Sequence, residues 1–221
     1  PSRIVSRPSG PSTVLLTSVA LNTDSEGMMI ARLVLLMLLG GSGFAAAAPA
    51  PVLVFGDSLS SAHRIAVESG WVHLLETRLE TSKHPRPVVN ASISGETTAG
   101  GMQRLPKILA DDKPALVVLE LGANDGLRGL PIAEIRENLT TMIRACQASG
   151  AAVVLLGIEL PINYGPQYRE GLRGMYRDLA AEFNLPLVPF LLDGVALDPA
   201  LMQDDGLHPK SEGAPKVLQA I

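Results

Sequence analysis

Five short apolar runs, separated by longer amphipathic segments, constrain the fold of this chain more than any other feature of its sequence. The runs consist mostly of Val, Leu and Ile, and their continuous apolarity is typical of strands that are buried on both faces. They occupy residues 52–55, 88–91, 115–121, 151–158 and 185–190. An alternation of buried strands with amphipathic segments predicts an α/β fold in which a parallel sheet carries helices on both faces.

The segments between the runs have apolar residues at helical spacing. The clearest stripe lies between Pro131 and Gly150, which are typical residues for the start and the end of a helix. Its members are Ile132, Ile135, Leu139, Met142, Ile143 and Cys146. Residues 51–221 contain no internal repeat or low-complexity linker, so they are predicted to form one domain.

Composition excludes several classes of protein. The chain has 221 residues, of which 47% are hydrophobic and 18% charged, which is typical of a globular domain rather than a disordered chain. The formal net charge is -4 and no stretch concentrates Lys and Arg, so nucleic acid is not an expected partner. The single cysteine, Cys146, excludes an internal disulfide.

The first fifty residues differ from the rest. Residues 1–27 are rich in Ser, Pro and Thr, and we interpret them as upstream sequence that is non-native or wrongly assigned to the protein. Residues 28–50 then combine a positive charge at Arg32, an apolar stretch at 33–39 and small residues at 45–50, which is the plan of a secretory signal peptide. We therefore expect an exported protein, periplasmic or secreted, without a stable membrane anchor; an uncleaved anchor is the alternative.

Polar, glycine-containing turns follow the first three runs, at residues 56–60, 92–97 and 122–126. A further polar segment at 204–209 follows the fifth run. Ligands of open parallel sheets bind beyond the carboxyl ends of the strands, so these segments are the expected location of a functional site.

The residue types in these turns indicate nucleophilic catalysis. A serine such as Ser58 attacks a carbonyl group only when a base removes its proton, and histidine is the usual base. Asp205 and His208 are three residues apart, so the carboxylate can reach the ring nitrogen that faces away from the serine. An oxyanion requires preorganised donors, for which the candidates are the backbone N–H groups of Ser58 and Gly95 and the side-chain amide of Asn124.

Each of these residues also has a structural interpretation. Ser58 alone would suit a helix N-cap, and Gly95 and Asn124 would suit ordinary turns. Asp204 competes with Asp205 as the partner of the histidine. His63 follows the candidate serine but lacks a carboxylate at a useful spacing, and Cys146 belongs to the apolar stripe of a helix. No metal-ligand spacing and no phosphate-binding or dinucleotide-binding motif is present, so neither a metal nor a cofactor is predicted.

Taken together, the turns resemble the SGNH hydrolase superfamily, whose members are also called GDSL esterases and lipases. Four blocks match in order, and within the superfamily they are most similar to the bacterial thioesterase I, lysophospholipase and arylesterase group. The blocks are Gly56-Asp57-Ser58-Leu59-Ser60, Ser94-Gly95-Glu96-Thr97, Gly122-Ala123-Asn124-Asp125 and Asp205-Gly206-Leu207-His208-Pro209. The similarity extends over nearly all of residues 52–221.

This resemblance implies a flavodoxin-like, three-layer α/β/α sandwich with a five-stranded parallel sheet. It implies Ser58 as the nucleophile, His208 as the base, Asp205 as its orienting acid, and an oxyanion hole formed by Ser58, Gly95 and Asn124. No metal or organic cofactor is implied, and we expect a monomer. The final helix of the group looks longer than the one that the chain can form before Ile221.

The predicted function is hydrolysis of acyl and aryl esters, acyl thioesters and lysophospholipids through an acyl-enzyme. Leu127, Ile162 and Tyr164 follow the third and fourth runs and are predicted to contact the acyl group. Two alternatives remain: an O-deacetylase of carbohydrate or cell-envelope polymers, and a non-catalytic envelope binding protein on the same scaffold.

Overall fold

A computed structural model of the chain describes residues 49–221. The predicted upstream segment 1–27, and all but the last two residues of the predicted signal peptide, lie outside the described residues. Within the described part, no helix is both long enough and apolar enough to cross a membrane.

The five predicted runs form one five-stranded sheet in which every neighbouring pair of strands is parallel, as predicted. The strand order is β2-β1-β3-β4-β5. The strands are β1 (Val52–Gly56), β2 (Val88–Asn90), β3 (Leu116–Glu120), β4 (Ala152–Leu156) and β5 (Leu187–Val188).

The last strand is much shorter than the apolar run that predicts it. The Leu185 N–H group donates to the Ala180 carbonyl oxygen and so closes the preceding helix rather than joining the sheet. Pro186 and Pro189 lack N–H groups and cannot donate to a ladder. Apolar composition alone therefore overestimates the length of β5.

Helices cover both faces of the sheet and complete the predicted three layers. They are α1 (Trp71–Glu80), α2 (Thr98–Asp112), α3 (Ala123–Leu127), α4 (Ile132–Ala148), α5 (Pro166–Phe183) and α6 (Ala214–Ala220). On one face α2, α4 and α5 pack on Phe55 and Leu119, whereas α1 and α6 pack on Val54 and Val118 on the other face. Successive strand residues thus alternate between two apolar cores, as the pleat of a strand requires.

Helix α4 follows the pattern predicted for it. Pro131 precedes its first residue, and Gly150, with a φ of 87°, lies just beyond its end. Cys146 on its apolar stripe is completely buried, and this burial raises the pKa of its thiol to about 12. Fully burying a Leu or Ile side chain contributes roughly 1.5–3 kcal/mol, so the stripe anchors the helix to the sheet.

The strand order determines where a site can form. The chain leaves β1 to build β2 on one side and then returns to build β3 on the other side of β1. This reversal opens a crevice at the carboxyl ends of β1 and β3, where open α/β sheets bind their ligands. The register pairs Gly56 with Glu120, which brings the segments that follow both strands side by side.

Candidate active site

The turn after β1 presents Ser58 at the carboxyl edge of the sheet. The N–H groups of Ser60 and Ser61 both donate to the Asp57 carbonyl oxygen, so the chain bends immediately after the strand. Gly56 makes this bend possible at close range to β3. A Cβ atom there would lie 2.5 Å from Glu120 Oε2 and 2.9 Å from the Glu120 carbonyl oxygen.

His208 and Asp205 approach Ser58 from the C-terminal segment. His208 Nε2 lies 2.8 Å from Ser58 Oγ, and His208 Nδ1 lies 2.9 Å from Asp205 Oδ2. The structure thus places the predicted serine, histidine and aspartate in one hydrogen-bonded row. Asp204, the competing aspartate, is exposed and is not the one that faces the histidine.

Local hydrogen bonds hold the Asp205 carboxylate. Its Oδ1 atom accepts from the N–H groups of Leu207 at 2.9 Å and His208 at 3.1 Å. Desolvation alone would raise the pKa of Asp205, but these backbone donors and the His208 ring outweigh it and lower the pKa to about 2. Asp205 is therefore an anion over the whole neutral range.

The loop that carries these residues is held by hydrogen bonds within itself and by one to the segment after β1. Met202 and Pro209 form an antiparallel bridge, and the Gln203 N–H group donates to the His208 carbonyl oxygen at 2.8 Å. The Gln203 side-chain amide also donates to the carbonyl oxygens of His63 and Pro209, at 2.9 Å each. These contacts fix the position of His208 relative to Ser58.

Gly95 and Asn124 lie beside Ser58, after β2 and β3 respectively. Gly95 has a φ of 82°, so the turn requires glycine for its backbone conformation, although a Cβ atom there would meet nothing within 4 Å. Asn124 Nδ2 donates to Asp57 Oδ2 at 2.9 Å and to the Glu96 carbonyl oxygen at 3.0 Å. Both hydrogens of this amide are thus engaged with the protein.

A cavity of about 290 Å³ opens beside Ser58 and His208. Its polar lining consists of these two residues together with His63, Ser94, Gly95, Asn124 and Glu159. The remainder is mostly apolar and is lined by Leu59, Ala123, Leu127, Ile158, Leu160, Pro161, Phe190, Leu192 and Leu207. The cavity is therefore suited to an apolar group that extends from an atom near the serine.

The residues predicted to contact substrate divide into two groups. Leu127 lines the cavity, whereas Ile162 and Tyr164 are not among its lining residues. Ile162 is 82% exposed, and the Tyr164 hydroxyl donates to the Leu127 carbonyl oxygen at 2.8 Å. Of the three predicted contacts, the structure therefore brings only Leu127 to the cavity.

Glu120 is the main residue that the sequence analysis missed. Its side chain is completely buried at the end of β3, where Oε2 accepts from the Asp57 N–H group at 3.1 Å and from Ser60 Oγ at 2.7 Å. Burial and the neighbouring charge of Asp57 raise the pKa of Glu120 well above its ordinary range. The available signal was a single carboxylate within an otherwise apolar run.

Asp57 is likewise completely buried. Burial raises its pKa from 3.8 to about 6, against the opposing effects of the Leu59 N–H group and the Asn124 amide, which donate to it. The residue beside the candidate nucleophile is therefore part of a polar layer beneath the site.

His63, which follows the candidate serine in the sequence, lines the cavity beside His208. Its ring centroid is 4.4 Å from that of His208, with the two planes inclined by 36°. Its Nδ1 atom lies 3.2 Å from Ser94 Oγ, and its neighbours Ala62 and Arg64 both have positive φ angles. Burial, followed by the charges of His208 and Arg64, lowers the pKa of His63.

The remaining histidines lie away from the site. His73 pairs with Glu76 on the surface of α1, at 3.3 Å, and His84 is exposed in a loop. Over residues 49–221, no three His, Cys, Asp or Glu side chains are arranged to hold a metal ion.

Comparison with known proteins places this arrangement in a family. The model of the GDSL-like Lipase/Acylhydrolase family matches residues 54–214. Esterase TesA of Pseudomonas aeruginosa is 49% identical over 175 residues, which cover 79% of this chain and 87% of that protein. The Thioesterase 1/protease 1/lysophospholipase L1 of Escherichia coli strain K12 is 41% identical over 172 residues, covering 78% of this chain and 81% of that protein.

A solved structure extends the comparison to the fold. The psychrotrophic esterase EstA from Pseudoalteromonas sp., inhibited by monoethylphosphonate, superposes with a TM-score of 0.74 at 37% identity. The match covers 77% of this chain and 93% of that one. The chain therefore belongs to the GDSL-like lipase/acylhydrolase family, as its four sequence blocks predicted. It is a hydrolase of the esterase, thioesterase and lysophospholipase type.

Proposed function

We propose that this protein hydrolyses carboxylic esters and acyl thioesters with Ser58 as nucleophile, His208 as general base and Asp205 as the acid that orients the histidine. One observation carries the proposal. Hydrogen-bond distances of 2.9 and 2.8 Å link Asp205 to His208 and His208 to Ser58, and this row ends at an apolar cavity. Serine becomes an effective nucleophile only in such contact with a base.

In the first half of the reaction, Ser58 Oγ attacks the carbonyl carbon while His208 Nε2 takes the hydroxyl proton. The Asp205 carboxylate holds the proton on His208 Nδ1 and stabilises the imidazolium that forms. The C–O or C–S bond of the substrate then breaks, and His208 returns its proton to the leaving alcohol or thiol. Water repeats these steps on the acyl-enzyme and releases the carboxylic acid.

The oxyanion of each tetrahedral intermediate is assigned to the backbone N–H groups of Ser58 and Gly95 and to the Asn124 amide. Because both hydrogens of that amide already have acceptors, one of them must be shared with the oxyanion in a three-centre hydrogen bond. The Glu96 carbonyl oxygen is the acceptor that gives way most readily, since it is neutral whereas Asp57 can be charged.

The cavity lining favours a substrate whose acyl or aryl group binds in the cavity. Nine of its lining residues are apolar and offer no side-chain hydrogen bonds to the hydroxyl groups of a sugar. Its one carboxylate, Glu159, already accepts two hydrogen bonds from Arg173, so the lining weighs against carbohydrate O-deacetylation. The names of the relatives, Esterase TesA and Thioesterase 1/protease 1/lysophospholipase L1, include the same substrate classes. Single-chain lipids and acyl thioesters are thus proposed as substrates.

The first test is hydrolysis of p-nitrophenyl esters from acetyl to palmitoyl by the purified chain and its Ser58→Ala variant. We expect kcat to fall about 10⁶-fold in the variant, as for other activated serines. The matched control is Ser61→Ala, because this nearby hydroxyl contacts Ser94 rather than His208 and should be dispensable. Undiminished activity in Ser58→Ala would reject the proposal, and inactivity of the unaltered chain would favour the non-catalytic alternative.

Acyl-chain preference provides a second test. Leu127→Trp should shift the optimum toward shorter esters because it fills the cavity, whereas Ile162→Trp should leave the profile unchanged because Ile162 points into solvent. The measurement is kcat/KM across the ester series. A shift caused by Ile162→Trp alone would place the acyl group outside the cavity.

We also propose that residues 28–50 direct export and are removed, and that the mature protein is a monomer. The support for export is the order of the segments, with a basic residue followed by an apolar stretch and small residues. Mass determination of the N-terminus after expression with an intact secretion pathway tests the cleavage. Retention of residues 28–50 in a membrane fraction would favour the uncleaved anchor.

A further inference from the structure

Two carboxyl groups, Asp57 and Glu120, meet beneath the candidate nucleophile without any exposure to solvent. Over residues 49–221, no Lys or Arg forms an ion pair with either of them. Two unpaired anions in contact inside a protein repel one another and lose their hydration, so such a pair retains a proton. The hydrogen bonds around the pair indicate which residue carries it.

Glu120 has the hydrogen-bond pattern of a neutral acid. Its Oε2 atom accepts from the Asp57 N–H group and the Ser60 hydroxyl, which occupy both of its lone pairs. Its Oε1 atom is buried and receives no hydrogen bond. A buried carboxylate oxygen without a donor is costly, whereas a protonated oxygen becomes a donor itself.

Asp57 has the opposite pattern. Its Oδ1 atom accepts from the Leu59 N–H group at 3.0 Å, and its Oδ2 atom accepts from the Asn124 amide at 2.9 Å. The buried Glu120 side chain is its acidic neighbour, since Glu120 Oε2 accepts from the Asp57 N–H group. These contacts are those of a carboxylate surrounded by donors.

We propose that Glu120 is a neutral carboxylic acid that donates a hydrogen bond to the Asp57 carboxylate, and that the pair positions the Asn124 amide for the oxyanion. The inference rests on the proposed function, because it assigns Asn124 to the oxyanion hole of that reaction. Glu120 and Asp57 are positioning residues, since both act on the substrate only through Asn124.

The mechanism is the orientation of one amide group. Asp57 Oδ2 and the Glu96 carbonyl oxygen hold Asn124 Nδ2 from two directions, which fixes the plane of the amide. The proton on Glu120 leaves Asp57 charged, and a charged acceptor holds the amide more strongly than a neutral acid would. The pair thereby places one negative charge, rather than two, beneath the site.

Infrared spectroscopy of the chain labelled with ¹³C in its glutamate carboxyl groups tests the protonation directly. At neutral pH, exposed glutamates give carboxylate bands, so a labelled carboxylic-acid band is expected from Glu120 alone. The band should vanish in Glu120→Gln and persist in Glu68→Gln, which changes an exposed glutamate. Absence of the band from the unaltered protein would overturn the proposal, whatever the variants do.

Three variants test the positioning. Glutamine has the shape of the neutral acid and can donate to Asp57, so Glu120→Gln should retain most of the kcat. Glu120→Ala and Asp57→Asn should each lower kcat about 10–100-fold with little change in KM, because a misplaced group costs rate rather than binding. Thermal unfolding of each variant identifies any that fail to fold, and the infrared result then decides the question.

The outcomes separate this proposal from the proposed function. If Ser58→Ala abolishes activity but a folded Asp57→Asn variant keeps full kcat, the serine mechanism stands and the positioning role is wrong. If Glu120→Gln folds but is as inactive as Glu120→Ala, Glu120 acts as an anion and the proposal is likewise wrong.

Discussion

Two aspartates lie near the candidate nucleophile: Asp57 precedes it in the chain, and Asp205 contacts its histidine. Their surroundings shift their pKa values in opposite directions. Asp57 is completely buried, and burial raises its pKa to about 6. The Asp205 side chain is 27% exposed, and its backbone and histidine donors outweigh desolvation to lower its pKa to about 2. The same type of side chain thus accepts a hydrogen bond from a neighbouring acid at Asp57 and is an anion throughout the neutral range at Asp205.

The difference comes from how each residue is held. Asp205 takes its donors from Leu207 and His208, within three residues along the chain, so its environment is local. Asp57 instead meets Glu120 and Asn124, which are 63 and 67 residues away. The Asp205–His208 pair is therefore built within one loop, and its spacing in the sequence predicts it. The contacts of Asp57 beneath the serine depend instead on the register of the sheet.

The largest expected effect on kcat comes from Asp205, whose contacts are local in the sequence. Asp205→Asn should lower kcat about 10⁴-fold, because an amide cannot hold the His208 tautomer that accepts the serine proton. Its matched control is Asp204→Asn, which changes the adjacent exposed aspartate and should leave ester hydrolysis intact. Equal losses in the two variants would indicate that the turn as a whole was disturbed and that Asp205 has no separate role.

Two glycine substitutions compare the buried layer beneath Ser58 with the loop of Asp205 and His208 by their effect on the free energy of unfolding. Gly56→Ala should destabilise the fold by about 1–3 kcal/mol, because the added methyl group meets the Glu120 backbone and forces β1 and β3 apart. Gly206→Ala meets nothing within 4 Å, but its φ of 66° costs roughly 1–2 kcal/mol. Urea unfolding measures both values. Only Gly56→Ala should also diminish the labelled carboxylic-acid band of Glu120.

The two aspartates should give opposite dependences of stability on pH. Because its pKa is raised in the folded state, Asp57 favours folding fully below its ordinary value of 3.8, and this contribution is lost as pH rises through about 6. Asp205 contributes fully above 3.8, and this contribution is lost as pH falls toward about 2.

Urea unfolding of Asp57→Asn and Asp205→Asn across this range checks both signs. Relative to the unaltered protein, Asp57→Asn should gain stability between pH 3.8 and about 6. Asp205→Asn should lose its disadvantage as pH falls from 3.8 to about 2. Parallel curves for the two variants would contradict the contrast between buried and exposed aspartates.

The smallest expected effect concerns the ring stacked on the histidine. His63→Ala removes a contact worth about 0.5–1.5 kcal/mol, so kcat should fall roughly 2–10-fold as His208 gains freedom. His63→Phe preserves a ring in the same place and should restore most of the rate. If His63→Phe is as slow as His63→Ala, the hydrogen bond to Ser94 matters more than the stack.

Sequence reasoning succeeded where the physical cause was local or periodic. Continuous apolar runs predicted the strands, and the rule that ligands bind at strand ends directed attention to Ser58 and Asn124. It failed for Glu120 because the role of this carboxylate depends on the pairing of Glu120 with Gly56 in the sheet. Only the register of β1 and β3 shows that pairing. The substrate contacts predicted for Ile162 and Tyr164 stay predictions. Both residues lie on a short 3₁₀ turn after β4 and are not among the residues that line the cavity, which the apolar pattern of the sequence could not show.

The buried thiol of Cys146 has a practical consequence for labelling chemistry. A thiol is reactive as a thiolate, and a fully buried group with a pKa raised to about 12 offers almost none. Because the chain has no other cysteine, one introduced at the exposed Leu197 would be the sole target of a maleimide dye. Single-molecule fluorescence or immobilisation in a defined orientation therefore requires no cysteine-free background.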